Sequence, residues 1–122
     1  MQARMDELVK ATLSRKRGKQ AYDALVSQDD GFQIVVDMTG TDACSLSFLD
    51  ELVWRMHESD LLQRTVFVTS NPQHVMKLGR VSDIRHLTIL RLVGAKIEIV
   101  EPVAGPTLVE VPSPSPPPDD ID

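Results

Sequence analysis

Short apolar runs rich in β-branched residues occur three times along the chain, at residues 32–38, 65–69 and 96–100. Each run is bounded by glycine, proline or polar residues and is short for a helix. The segments Ile34-Val35-Val36 and Val66-Phe67-Val68 are continuously apolar, as strands buried in a parallel sheet usually are. The pattern therefore predicts three buried strands.

Between the first two runs, apolar residues recur at the spacing of three and four that marks one face of a helix. This stripe contains Phe48, Leu49, Leu52, Val53 and Met56. The spacing predicts an amphipathic helix, and it directs the intervening polar residues to solvent, namely Asp50, Glu51, Arg55 and Glu58.

Further helices are predicted on both sides of this one. Upstream, a second apolar stripe (residues 21–26) follows Ser14, a plausible N-cap, and ends at the turn residues 29–31. Downstream, Pro72 suits the first turn of a helix, and the leucine spacing of residues 81–93 predicts that helical structure continues past Gly79. Residues 1–13 leave two alternatives, an extension of the upstream helix or a short edge strand around residues 7–10.

Helices and strands alternate in this assignment, and strands joined by helices are normally parallel with right-handed connections. We therefore expect one α/β domain over residues 1–101, with a small, mainly parallel sheet and with residues 1–13 as its least certain part. From residue 102 the chain is rich in proline, serine and acids, and we expect residues 102–122 to be a disordered tail.

Charge and cysteine content narrow the functional classes. The formal net charge is -5, but six of the acids follow Lys96 and no basic residue does, so residues 1–96 are close to neutral. The single cysteine, Cys44, excludes an internal disulfide and is expected to be buried. Neither a signal peptide nor a membrane-length apolar run is visible, so we expect a cytoplasmic protein.

The most informative segment runs from the strand that ends in Asp37 to the helix that begins near Ser47-Phe48-Leu49-Asp50-Glu51-Leu52. Upstream of it stand Ser14-Arg15 and Gly18. In this order and spacing the chain resembles the STAS superfamily, the fold of bacterial anti-sigma-factor antagonists, and in particular its compact branch with a Ser-Phe-x-Asp-Glu-Leu motif. The resemblance covers residues 12–100.

The resemblance implies a non-catalytic regulatory module that binds an anti-sigma factor, a histidine-kinase-like ATPase. Classical members are switched by phosphorylation of a serine that corresponds to Ser47. Their Asp-Ser-Ser-Gly motif is replaced here by Ser45-Leu46-Ser47-Phe48, and Asp50 and Glu51 would repel a phosphate in the first turn. Two interpretations of Ser47 therefore stand, a helix N-cap alone and an N-cap that is also a switch.

A partner-binding surface is predicted around the same helix start. Asp37 has two interpretations, a hydrogen bond to the following turn or a ligand contact at the sheet edge, and we favour the turn. Trp54 is expected to be partly buried and could anchor an interface. The candidate partner-binding residues are Asp37, Asp42, Ser45, Asp50, Glu51, Trp54 and Arg15.

Two alternative functions remain. Asp37 and the segment Thr69-Ser70-Asn71 are expected at one edge of adjacent strands, which would suit a small-ligand or nucleotide sensor. The basic residues from Arg15 to Lys19 could contact nucleic acid.

No catalytic, cofactor or metal motif is apparent in the sequence, so we expect neither an enzyme nor a cofactor. The three histidines are scattered and are expected at the surface or at helix ends. They are His57, His74 and His86.

Overall fold

A computed structural model describes residues 1–102. In chain order, its helices and strands are β1 (Gln2–Arg4), α1 (Met5–Leu8), α2 (Arg15–Gln28), β2 (Ile34–Asp37), α3 (Leu46–Glu58), β3 (Thr65–Val68), α4 (Pro72–Arg85), β4 (Ile89–Val93) and β5 (Lys96–Val100). A single 3-10 turn, Leu62–Arg64, precedes β3. The predicted tail beyond residue 102 lies outside the described residues.

The strands form one five-stranded sheet in the order β1-β2-β3-β4-β5. The first four are parallel, and β5 returns antiparallel to β4. The α/β class and the mainly parallel sheet predicted from the sequence are thus confirmed. The crossover helices set the direction of the parallel strands, so the carboxyl ends of β2 and β3 meet at one edge.

Helix α3 lies between α2 and α4 in a layer that packs against the sheet. Its apolar stripe is fully buried, as the helical spacing predicts. Ile34, Val36 and Phe67 meet it from the sheet, and Leu78 and Val81 meet it from α4. The hydrophobic core therefore centres on α3, which is flanked by α2 on one side and by α4 on the other.

Several local predictions are confirmed at the helix ends. Ser14 caps α2 by accepting a hydrogen bond from the Arg17 amide, and Gly31 adopts a positive φ of 84° in the turn that follows this helix. Pro72 opens α4 behind an Asn71 N-cap. The third predicted strand coincides in its bounds with β5, but the prediction that it is buried is wrong, since Ile97 and Ile99 are exposed at the end of the sheet.

The prediction that helical structure continues past Gly79 is confirmed as far as Arg85 and is wrong beyond it. Helix α4 passes through Gly79 and ends at Arg85, and its C-cap residue His86 has a left-handed φ of 55°. Residues Ile89–Val93 form β4, which turns through Gly94 into β5. Leucines spaced by two and three fit both a helix and a strand, and pairing with β3 and β5 selects the strand.

Residues 1–13 match neither predicted alternative. A strand does form at the sheet edge, but it comprises Gln2–Arg4, and residues 5–8 form the short helix α1. The strand over residues 32–38 is also shorter than predicted, since Phe32 is exposed and β2 begins at Ile34.

Candidate functional site

The start of α3 is set by Ser45, whose Oγ accepts a hydrogen bond of 3.0 Å from the Phe48 amide. Ser45 has extended backbone angles, as an N-cap residue should. The prediction that Ser47 is the N-cap is therefore wrong by two residues. The Ser45 hydroxyl, and not the Ser47 hydroxyl, accepts the hydrogen bond from the first turn of the helix.

Ser47 lies within the first turn of α3 and is completely buried. Its Oγ is 3.1 Å from the Oγ of Ser45. The two serines thus form a hydrogen-bonded pair at the helix start. A group added to the Ser47 hydroxyl would have to displace core residues, so a modification at Ser47 requires α3 to move first.

Asp50 is fully buried, so the prediction that it faces solvent is wrong. Its carboxylate accepts hydrogen bonds of 2.7 Å from both Nε and Nη2 of Arg85, and one of 2.8 Å from Arg15. Burial by itself raises the pKa of Asp50, but the hydrogen bonds from Arg85 and Arg15 outweigh it and hold this pKa below its ordinary value. The triad of Arg15, Asp50 and Arg85 joins α2, α3 and α4.

Gly18 explains why α2 can approach α3 so closely. A Cβ atom at this position would lie 2.7 Å from the carbonyl oxygen of Phe48 and 3.0 Å from the Cβ of Glu51. Arg15 and Gly18 therefore contact the Ser-Phe-x-Asp-Glu-Leu segment directly, and Ser14 caps the helix that carries them. Two motifs that are separated in the sequence form one contact region in the fold.

Trp54 is half-buried on the flank of α3, as predicted. The Arg85 guanidinium lies over its ring, 4.8 Å from the centroid, and the His57 ring lies 5.3 Å away. The same arginine thus neutralises Asp50 and supports the tryptophan. Sequence reasoning missed Arg85, because nothing in its neighbourhood signals a partner 35 residues away.

An open groove of about 460 Å³ runs between α2 and α3 beside this tryptophan. Its lining combines aromatic rings with both signs of charge, from Tyr22, Glu51, Trp54, Arg55, Glu58 and Ser59. Arg55 and Glu51 form an ion pair along α3. We call these six residues the Trp54 groove.

The polar groups predicted for a ligand site have partners within the protein. Asp37 accepts hydrogen bonds of 2.9 Å and 2.6 Å from the amide and hydroxyl of Thr39, which agrees with the turn interpretation. These two bonds lower the pKa of Asp37. Asn71 caps α4 and donates to the carbonyl of Asp42. The carboxyl edge of β2 and β3 is therefore already hydrogen-bonded.

The loop between β2 and α3 is fastened by side chains from other elements. Lys77 donates to the Cys44 carbonyl at 2.6 Å, and Thr12 donates to the Ala43 carbonyl. Cys44 is buried, as predicted, and burial raises the pKa of its thiol to about 11. The loop that leads into α3 is thus held by hydrogen bonds at Ala43 and Cys44.

His74 lies in the first turn of α4, which agrees with the expected helix-end position, but it is completely buried and not at the surface. Its Nδ1 is 3.1 Å from the Thr69 hydroxyl. Burial, and then the positive charge of Lys77, lower the pKa of His74. The imidazole is therefore neutral in the folded protein at neutral pH.

The basic cluster of α2 is largely engaged with neighbouring side chains. Arg15 contacts Asp50, Arg17 donates to Gln20 at 2.8 Å, and Lys19 donates to Asp23 at 2.8 Å. These pairings reduce the positive potential that a phosphate backbone would meet.

Residues 1–102 contain neither a cluster suited to a metal ion nor a helix suited to span a membrane. They contain no group of three or more histidine, cysteine or acidic residues placed to bind a metal ion. No helix in this part of the chain is both long enough and apolar enough to cross a membrane. Comparisons with family models, curated proteins and solved structures gave no match.

Proposed function

We propose that this chain is a STAS-like, non-catalytic regulatory module that binds another protein through the Trp54 groove. The observation that carries the proposal is the convergence of the two motif segments at the α2–α3 contact, beside the Trp54 groove. Gly18 lies against Phe48 and Glu51, Arg15 bonds to Asp50, and Arg85, the second partner of Asp50, lies over the Trp54 ring. The motif residues, which are far apart in the sequence, therefore all take part in one contact between α2 and α3.

The groove has the composition of an interaction surface. Tryptophan, tyrosine and arginine dominate the binding energy of many protein interfaces, and the groove contains one of each. Tyr22 and Trp54 pack against the core, Arg85 lies over the Trp54 ring, and Glu51 pairs with Arg55, so these side chains are held in place before binding. A rigid surface loses less conformational entropy on binding than a mobile one, which favours recognition of a protein partner.

The partner that the resemblance implies is an anti-sigma factor or a related histidine-kinase-like ATPase in the cytoplasm. The groove carries Glu51 and Glu58 as well as Arg55, so it suits a partner surface with an apolar projection flanked by basic residues. We propose no enzymatic step and no cofactor.

Regulation at Ser47 remains part of the proposal in a modified form. Because Ser47 is buried beside Ser45, a kinase partner would need to displace the start of α3 before it could reach the hydroxyl. Binding at the neighbouring groove would come first, and access to Ser47 would follow from it.

The test uses the full chain as bait, with two charge reversals of equal size. Glu58→Lys changes an exposed residue of the groove, whereas Glu7→Lys changes an exposed residue of α1 outside it. We expect the wild type and Glu7→Lys to retain a histidine-kinase-like ATPase from a lysate of the source cells, and Glu58→Lys to lose it. Calorimetry with the purified ATPase should show at least a tenfold weaker affinity for Glu58→Lys.

The proposal is wrong if the purified ATPase binds all three proteins equally, or if no such ATPase is retained by the wild type. Urea unfolding of each variant separates a folding defect from a binding defect. Both substitutions are at exposed positions, so their free energies of unfolding should stay within about 0.5 kcal/mol of the wild type.

A further inference from the structure

Strand β5 lies at the end of the sheet and has β4 on only one side. Within residues 1–102 no strand pairs with its other edge. Ile97 and Ile99 are each 64% exposed, which is unusual for two large aliphatic side chains on one short strand. This edge therefore combines an unpaired backbone with an apolar surface.

The backbone groups on the free edge can be identified from the sheet register. The Leu92 carbonyl accepts a hydrogen bond of 3.0 Å from the Thr69 amide, so the polar groups of Leu92 point away from β5. Leu92 stands opposite Ile97, which makes this a non-hydrogen-bonded pair. The amide and carbonyl of Ile97 therefore point away from β4, and those of Ile99 follow by alternation.

We propose that a second copy of this chain binds along the free edge, with two β5 strands paired antiparallel about a twofold axis at Ile97. This arrangement joins two five-stranded sheets into one. The outward amide and carbonyl of Ile97 in each copy then bond to each other, as symmetric edge pairing requires. The proposal is independent of the Trp54 groove, which lies on the helical layer.

Charge complementarity selects this register. Centred on Ile97, the pairing places Lys96 of each copy opposite Glu98 of the other, twice in the dimer. If one strand slid past the other by two residues, so that the twofold axis lay at Glu98, the pairing would place the two Glu98 carboxylates opposite each other. Glu98 already pairs with Arg91 of its own chain at 2.7 Å, so in the Ile97-centred register each Glu98 carboxylate lies between Arg91 and Lys96 of the other copy. Because opposite charges stabilise a cross-strand pair and like charges destabilise it, this register is preferred.

The same register also covers the exposed isoleucines. The two Ile97 side chains become neighbours on the open face of the sheet, and Ile99 of each copy lies beside Ala95 of the other. Each isoleucine already lies next to a leucine across the β4–β5 pair, Leu92 or Leu90. The edges are short, so the contact stays below the ~800 Å² per partner of a stable complex and the dimer should depend on concentration.

Cysteine cross-linking of the full chain tests the register. Residues directly opposite in a hydrogen-bonded pair have Cα atoms about 5.5 Å apart, within the range of a disulfide. Under mild oxidation we expect Ile97→Cys to form a covalent dimer at least tenfold faster than Ile99→Cys, whose two Cα atoms would be roughly 13 Å apart. Cys44 does not compete, because it is buried and its thiol pKa is raised to about 11.

Met76→Cys supplies the collision control, since Met76 is exposed on α4. Equal cross-linking by Ile97→Cys and Met76→Cys would overturn the proposal, and faster cross-linking by Ile99→Cys would overturn the register. Sedimentation of the unmodified chain should show a mass that rises toward two chains with concentration. Lys96→Glu should weaken this association at least fivefold and Lys10→Glu should not, and a monomer at every concentration would also overturn it.

Discussion

At the scale of single residues, Asp50 shows how a charge can be kept inside an otherwise apolar helix face. Its neighbours Leu49, Leu52 and Val53 are all buried in the core. An isolated carboxylate there would be protonated or would unfold the helix, but two guanidinium groups satisfy both of its oxygens. Asp50 therefore depends on residues from two other helices, and they depend on it.

Replacing this carboxylate by an amide should destabilise the protein. Asp50→Asn leaves Arg15 and Arg85 close together without the negative charge between them, and we expect a loss of about 3 kcal/mol in the free energy of unfolding at pH 7. Urea unfolding measures it. Asp23→Asn removes an exposed carboxylate paired with Lys19 and should cost no more than about 0.5 kcal/mol.

The pH dependence of that loss follows from the lowered pKa of Asp50. A carboxyl group with a depressed pKa in the folded state stabilises the fold above its unfolded pKa of about 4, and this contribution disappears as pH falls below that value. The difference between wild type and Asp50→Asn should therefore shrink toward pH 3. A difference that stays constant from pH 7 to pH 3 would contradict the assignment.

Two glycines offer a matched test of helix packing. Gly18→Ala pushes a methyl group against the Phe48 carbonyl and should destabilise the protein by about 1–3 kcal/mol. Gly79→Ala lies inside α4 with open space around its Cβ, so the better helix propensity of alanine should stabilise it by about 0.5–1 kcal/mol. Thermal or urea unfolding should show changes of opposite sign in the stability of the two variants, and changes of the same sign would refute the prediction.

At the scale of elements, the start of α3 depends on which serine caps it. Ser45→Asp keeps an acceptor at the N-cap and adds a favourable charge at the helix N-terminus, so its stability should stay within about 0.5 kcal/mol of wild type. Ser47→Asp puts a larger, charged side chain at a completely buried position beside Ser45 and should cost about 3 kcal/mol or more. Urea unfolding compares them, and a more stable Ser47→Asp would restore Ser47 as the cap.

Sequence periodicity correctly predicted the elements whose apolar pattern fits only one kind of secondary structure. The buried stripe from Phe48 to Met56 fits only a helix, and Ile34 to Val36 fits a buried strand. The region around Leu90 was predicted wrongly as a helix, because its leucine spacing fits both structures and only pairing with β3 decides between them. The site was predicted in part for the same reason. Its motif residues are local, whereas Arg85 and the burial of Asp50 depend on long-range packing.

At the scale of the whole molecule, hydrogen bonds from α4 connect the carboxyl edge of β2 and β3 to the loop that enters α3. His74 lies beneath this edge, bonded to Thr69 at the end of β3, while Lys77 one turn later fastens the loop at Cys44. Asn71 adds a second hydrogen bond to the loop through the Asp42 carbonyl. The N-cap residue of α4 and Lys77 thus both hold the β2–α3 loop, as Thr12 does at Ala43.

This arrangement makes stability sensitive to mild acid. The pKa of His74 is lowered in the fold, whereas an unfolded histidine has a pKa of about 6.5, so below that value the unfolded chain binds a proton that the folded protein excludes. The free energy of unfolding should therefore be steady above pH 7 and fall as pH drops from about 6.5 to 5.5, by at most about 1 kcal/mol. This window lies well above the one in which Asp50 acts.

Two histidine variants separate this effect from general titration. His74→Gln can still hydrogen-bond to Thr69 but cannot take up a proton, so its free energy of unfolding should lose most of the slope between pH 7 and pH 5.5. His57→Gln changes an exposed residue at the end of α3 and should retain the slope of the wild type. Urea titrations at four pH values decide the matter. A slope that survives in His74→Gln would show that the buried imidazole is not its source.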